Sequence, residues 1–106
     1  MISRKELGEF LLSMPGSRLD YPFDEKTAVY RAANGKLFAL VAEDSDPLRI
    51  SLKCDPQLAE LLREKYESVS QGYHLNKKHW ITIILTGQLS DDEIRDLIRH
   101  SYELVK

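Results

Sequence analysis

The chain carries a single cysteine, Cys54, so no internal disulfide can form. With 106 residues it can bury a core without one, and the lone thiol points to a reducing, cytoplasmic setting. No apolar run approaches the roughly 20 residues of a membrane helix. The longest uncharged apolar run, residues 80–85, suits a buried strand. Arg4 and Lys5 are followed by Glu6 and not by an apolar stretch, which is not the pattern of a secretory signal. The five glycines are scattered singly, which excludes a glycine-rich phosphate loop. Positive charge is not in excess either: 15 Lys and Arg stand against 17 Asp and Glu, for a net charge of −2. A dedicated non-specific DNA binder is normally basic, so any nucleic-acid site here must be a local patch.

What is present is a globular balance, 42% hydrophobic and 30% charged, read as one domain over residues 1–106. Ser3-Arg4-Lys5-Glu6 is a capping box, in which serine and glutamate side chains each satisfy an orphan backbone N–H. Leu7, Phe10, Leu11 and Met14 then recur at helical spacing until Pro15-Gly16 ends the helix. Residues 17–24 read as loop or a short edge strand. Two β-rich runs, 27–33 and 36–42, flank Asn34-Gly35, the strongest short hairpin signal. After a polar turn at 43–47, residues 48–53 alternate, with Leu48, Ile50 and Leu52 on one face and Arg49, Ser51 and Lys53 on the other.

Asp55-Pro56 opens a second helix as N-cap and first-turn proline. Its expected buried stripe is Leu58, Leu61, Leu62 and Tyr66. Gly72 marks a turn, and residues 78–85 form a strand apolar on both parities, as in a strand covered on both faces. Ser90-Asp91-Asp92-Glu93 is a second capping box. It starts a third helix with its stripe at Ile94, Leu97, Ile98 and Tyr102. The fold class that follows is α+β, an antiparallel sheet packed with three helices in the order α-β-β-β-α-β-α.

The most informative stretch is residues 68–90, 23 residues without one acidic side chain. At its centre lies Gly72-Tyr73-His74-Leu75-Asn76-Lys77-Lys78-His79-Trp80. Lysines neutralise phosphates, Asn and His hydrogen-bond phosphate or base edges, and Tyr or Trp can stack on bases. The same residues would equally serve as a turn entering a buried strand. Lys53, with Arg49, Ser51 and Lys36, could extend the patch or form an ordinary solvent face. Cys54 precedes a helix N-terminus and follows Lys53, both of which favour thiolate, while Asp55 opposes it. No nucleophile elbow accompanies it, so no catalytic residue is assigned. Cys54, His74, His79 and His100 do not match a zinc spacing, and no metal or cofactor is expected.

Three strings carry a family resemblance: Ile50-Ser51-Leu52-Lys53-Cys54-Asp55-Pro56, the stretch from Gly72 to Trp80, and Ser101-Tyr102-Glu103-Leu104-Val105. Together with Lys36-Leu37-Phe38-Ala39-Leu40-Val41, they resemble the MmcQ/YjbR-like family of small bacterial proteins, over nearly the whole chain. The resemblance implies a sheet packed with helices, similar to the double-wing C-terminal domain of the phage transcription factor MotA, and a DNA-binding role. Gln71 stands where the family often has proline, and Ile81 where an asparagine often follows the tryptophan.

Two readings remain open. In the first the domain binds nucleic acid, DNA foremost, through Lys53, Tyr73, His74, Asn76, Lys77, Lys78 and His79. In the second it is a protein-interaction or small-ligand-binding domain in which Tyr73, His74 and Trp80 line a concave site. Neither involves a membrane, and neither is an enzyme.

Overall fold

The computed structural model describes residues 1–72 and 75–106. Three helices, α1 (Arg4–Leu12), α2 (Pro56–Lys65) and α3 (Asp91–Val105), pack on one face of a six-stranded sheet. The strands are β1 (Arg18–Asp20), β2 (Thr27–Arg31), β3 (Leu37–Ala42), β4 (Arg49–Lys53), β5 (Val69–Gln71) and β6 (Trp80–Ile84). Their spatial order is β1-β2-β3-β4-β6-β5, and every neighbouring pair is antiparallel. The expected order of elements is present. Residues 17–24 hold the short edge strand, β1, and β5 is an addition; both are three-residue strands and they occupy the two edges. None of the helices among the described residues is long and apolar enough to cross a membrane.

Local chemistry places each helix. Ser3 and Ser90 both form full capping boxes, with Glu6 and Glu93 reaching back to the cap N–H. The Asp55 carboxylate accepts from the N–H groups of Gln57 and Leu58. A long-range bond adds to this start of α2: the Asp55 N–H donates to Nε2 of His100 on α3, at 3.1 Å. The hairpin closes where Ala32 N–H meets the Lys36 carbonyl, and Gly35 takes φ +86°, a conformation costly for any residue with a Cβ. Asn34 does a second job there, donating from its amide to the Val105 carbonyl at the end of α3.

The core follows from strand parity. Register sets Ala28 against Val41, Val41 against Ile50, and Ile50 against Ile83. One step along, Tyr30 meets Ala39, Ala39 meets Leu52, and Leu52 meets Ile81. All of these residues are buried, together with Leu7, Leu11, Ile94 and Ile98 from the helices. Between Tyr30 and Arg31 the register shifts by one residue, and the extra residue on β3 is Phe38. This bulge turns Phe38 inward beside Ala39, fully buried, with its ring edge-on to Tyr102 at 5.4 Å. Ser101, also fully buried, donates its hydroxyl to the Phe38 carbonyl.

One expected core residue lies elsewhere. Leu61 is 62% exposed, whereas Ala59 is fully buried and Leu62 and Tyr66 are half-buried. At about 100° per residue, Ala59, Leu62 and Tyr66 share a narrow face from which Leu61 is rotated away.

The Tyr66 hydroxyl donates to Glu93 at 2.7 Å. That bond first, and the Ser90 N–H second, hold the Glu93 carboxylate below its ordinary value of 4.5. Glu6 is lowered in the same direction, chiefly by the side chain of Ser3. In the acid range the unfolded chain therefore binds more protons than the folded one. The stabilisation is complete above pH 4.5 and is lost as pH falls through the lowered folded values. Urea midpoints measured against pH should fall below that point, and Glu93→Gln should make the fall shallower. An unchanged acid limb in the variant would show that Glu93 carries none of it.

Candidate nucleic-acid interface

Strand alternation leaves one sheet face without helices. By register it carries Arg18, Arg31, Leu40, Arg49, Ser51, Lys53 and Thr82, together with Asp20 and the buried Val29 and Trp80. Arg18 and Arg31 lie directly opposite each other. Their guanidinium groups donate to the carbonyls of Ala33 and Gly35, which anchors both side chains beside the hairpin turn. Lys36 is exposed in that turn. Lys53 is half-buried at the end of β4, opposite Trp80 and one residue beyond the Ala39–Leu52 pair. Lys77 and Lys78 are exposed in the turn that enters β6. Six cations thus gather at one end of the open face and its bordering turns.

The loop that carries the lysines is tied to the sheet. Asn76 is exposed, but its Oδ1 accepts from the Lys78 N–H at 2.9 Å, so this side chain shapes the turn. His79 is exposed, while its carbonyl accepts from the Cys54 N–H at 2.8 Å. Gly72 is buried, and a Cβ there would stand 2.6 Å from the Trp80 Cβ, so the loop passes too close to β6 for a larger residue. Tyr73 and His74 lie outside the described residues.

Trp80 is only 9% exposed, which closes it to base stacking and fits the reading of a turn that enters a buried strand. Ile81 points into the core at 0% exposure, so position 81 takes no part in the open face. Cys54 is also buried. Desolvation, with Asp55 second, pushes its thiol up to about 11 despite Arg63, which makes it a structural residue. His100 spends its Nε2 on Asp55.

Ion pairing is uneven across the molecule. Ion pairs involve Arg4, Lys5, Lys26, Arg95, Arg99, Lys106 and the N-terminus. Among the described residues, nine Lys and Arg pair with no carboxylate: Arg18, Arg31, Lys36, Lys53, Lys77 and Lys78 at the basic end, Arg49 elsewhere on the same sheet face, and Arg63 and Lys65 on α2.

A wholly antiparallel sheet with three helices on one face and the other face open defines the class, an α+β domain that offers a sheet surface. Within that class the chain belongs to the YjbR family, whose model matches residues 12–104. It is 38% identical over 98 residues to the YjbR protein of Escherichia coli, covering 92% of this chain and 82% of that one. It is 27% identical to YyaQ of Bacillus subtilis, with both chains fully covered. Among solved structures, a Deinococcus radiodurans protein superposes with a TM-score of 0.90 at 38% identity, covering 94% of this chain and 75% of that one. A Pseudomonas syringae protein gives 0.84 at 32% identity, with coverage of 99% and 100%.

Proposed function

We propose that this domain is a binding module and not an enzyme, acting in the cytoplasm on nucleic acid, DNA foremost. Its contact surface is the basic end of the open sheet face. The observation that carries the reading is a concentration of charge: among the described residues, six of the nine cations without carboxylate partners share one end, in a chain whose net charge is −2. A cation already paired with a carboxylate gains little from a phosphate, whereas an unpaired one releases condensed counterions when it binds. Lys53, Lys77 and Lys78 supply phosphate contacts, and Arg18, Arg31 and Lys36 extend the track along the hairpin. His79 adds a polar contact beside them. The likeness of the family's fold to the double-wing domain supports the same reading.

Contacts of this type recognise the backbone and not the sequence. Affinity should be of the non-specific order, about 10⁻⁴ to 10⁻⁶ M at physiological salt. With about three to five phosphates engaged, log affinity should fall against log salt with a slope of about −3 to −4.5 on duplex DNA. Fluorescence anisotropy with a labelled duplex and its single strand tests this. Failure to bind either one at low salt and near-millimolar protein would remove the reading.

A further inference from the structure

The open face also holds a cavity of about 480 Å³, away from the basic end. Phe23, Leu40 and Leu75 form apolar walls, and Ser51, Thr82 and Arg49 supply its polar part. Register explains the floor, because Leu40 pairs with Ser51 and Ser51 with Thr82 across three adjacent strands. Arg49 follows two residues along β4, on the same side. The walls come from two loops, one leading into β2 and one into β6. Volume and lining both fall within the habit of small-ligand sites, roughly 300–1,000 Å³ with apolar walls and a few placed polar groups.

The polar groups specify a charge. Ser51 and Thr82 hydroxyls lie 2.8 Å apart, and whichever one donates, the other keeps its own proton to offer. Among the described residues, Arg49 is the one charged residue in the lining. Among the described residues it pairs with no carboxylate. A guanidinium and a hydroxyl donor on the same floor suit a planar anion, and guanidinium matches carboxylate geometry with two parallel bonds. Phe23 stands 66% exposed at the rim, a large aromatic surface that a ligand would cover.

We propose that this cavity binds a small amphipathic carboxylate. Its apolar body lies between Phe23, Leu40 and Leu75, and its carboxylate meets Arg49 and the Ser51–Thr82 hydroxyl pair. The site is separate from the phosphate-binding residues, although Leu75 shares a loop with Lys77 and Lys78. Calorimetric titration with a panel of aryl and straight-chain carboxylates, each beside its neutral amide, tests the proposal. 3-Phenylpropanoate and 3-phenylpropanamide form one such pair. The acids should bind at least tenfold more tightly than their amides. Arg49→Gln should abolish that preference, and Phe23→Ala should weaken acid and amide alike while leaving the melting midpoint in place. Equal binding of acid and amide to the unmodified protein would overturn the proposal, and so would a panel in which no acid binds. These probes carry no phosphate, so the outcome is independent of DNA binding.

Discussion

Replacing Lys53, Lys77 and Lys78 together by glutamate should lower DNA affinity at low salt by about a hundredfold or more. A unit charge pair near 4 Å is worth about 1 kcal/mol even in bulk water, and reversal converts each attraction into repulsion. A hundredfold loss needs only about 2.8 kcal/mol in all. Lys77 and Lys78 are exposed and Lys53 is half-buried, so the fold should survive, with the urea midpoint little moved. The control is the same charge change on the helical side, at Lys5, Lys65 and Arg95. It should alter affinity only a few-fold, because it changes net charge without touching the basic end. Equal losses from both triple variants would mean that net charge alone governs binding and that the proposed surface has no special role.

The second large effect concerns the fold that supports this surface. Phe38→Ala should destabilise the protein by about 3–5 kcal/mol, the usual cost of deleting a fully buried aromatic ring. Phe38 is 0% exposed, stacks edge-on against Tyr102, and sits at the bulge where β3 changes register with β2. Its removal opens a cavity under the sheet exactly where α3 docks on β3. For a domain of this size the loss is a large share of a total stability of about 5–15 kcal/mol. Equilibrium urea unfolding measures it directly. A change below about 1 kcal/mol would show that the site collapses around the missing ring, against the tight packing described here.

Much of this was legible in the residues because the signals were local. Two capping boxes, the Asp55-Pro56 start and the Asn34-Gly35 turn each act over four residues or fewer, and each appears where its chemistry requires. The edge strands were legible only in part: residues 17–24 read equally as loop or short edge strand, and residues 69–71 do not read as a strand. Arg18–Asp20 is exposed throughout, and Val69–Gln71 has one buried residue, so neither shows a pattern beyond its pairing partner. Phe38 was hidden for a related reason: a bulge breaks the alternation on which a reading of faces depends. Leu61 misled because its neighbours Leu58 and Leu62 are also leucines, and composition alone does not rank them around a helix.

The candidate site divides in the same way. Lys77, Lys78 and His79 could be named from the acid-free window and Lys53 from the polar face of the 48–53 alternation, and they do approach one end of the sheet. Arg18 and Arg31 were missed. Their place beside the hairpin depends on β1 pairing with β2, a contact between residues 13 positions apart at Arg18 and Arg31. The cavity is further from view. It brings Phe23 and Leu75 to one face because β4 lies next to β6, across the whole of α2 and β5. Trp80 was legible both as an aromatic in the window and as a residue of a buried strand, but its close approach to Gly72 was not.

Amide chemical-shift mapping during a DNA titration tests the central claim most directly. At low salt, adding duplex should shift Arg18, Arg31, Lys36, Lys53 and residues 76–80, while the solvent-facing residues of α1, α2 and α3 stay in place. Shifts concentrated on the helical side, or an unchanged spectrum at saturating DNA, would contradict the assignment of the open sheet face as the nucleic-acid surface.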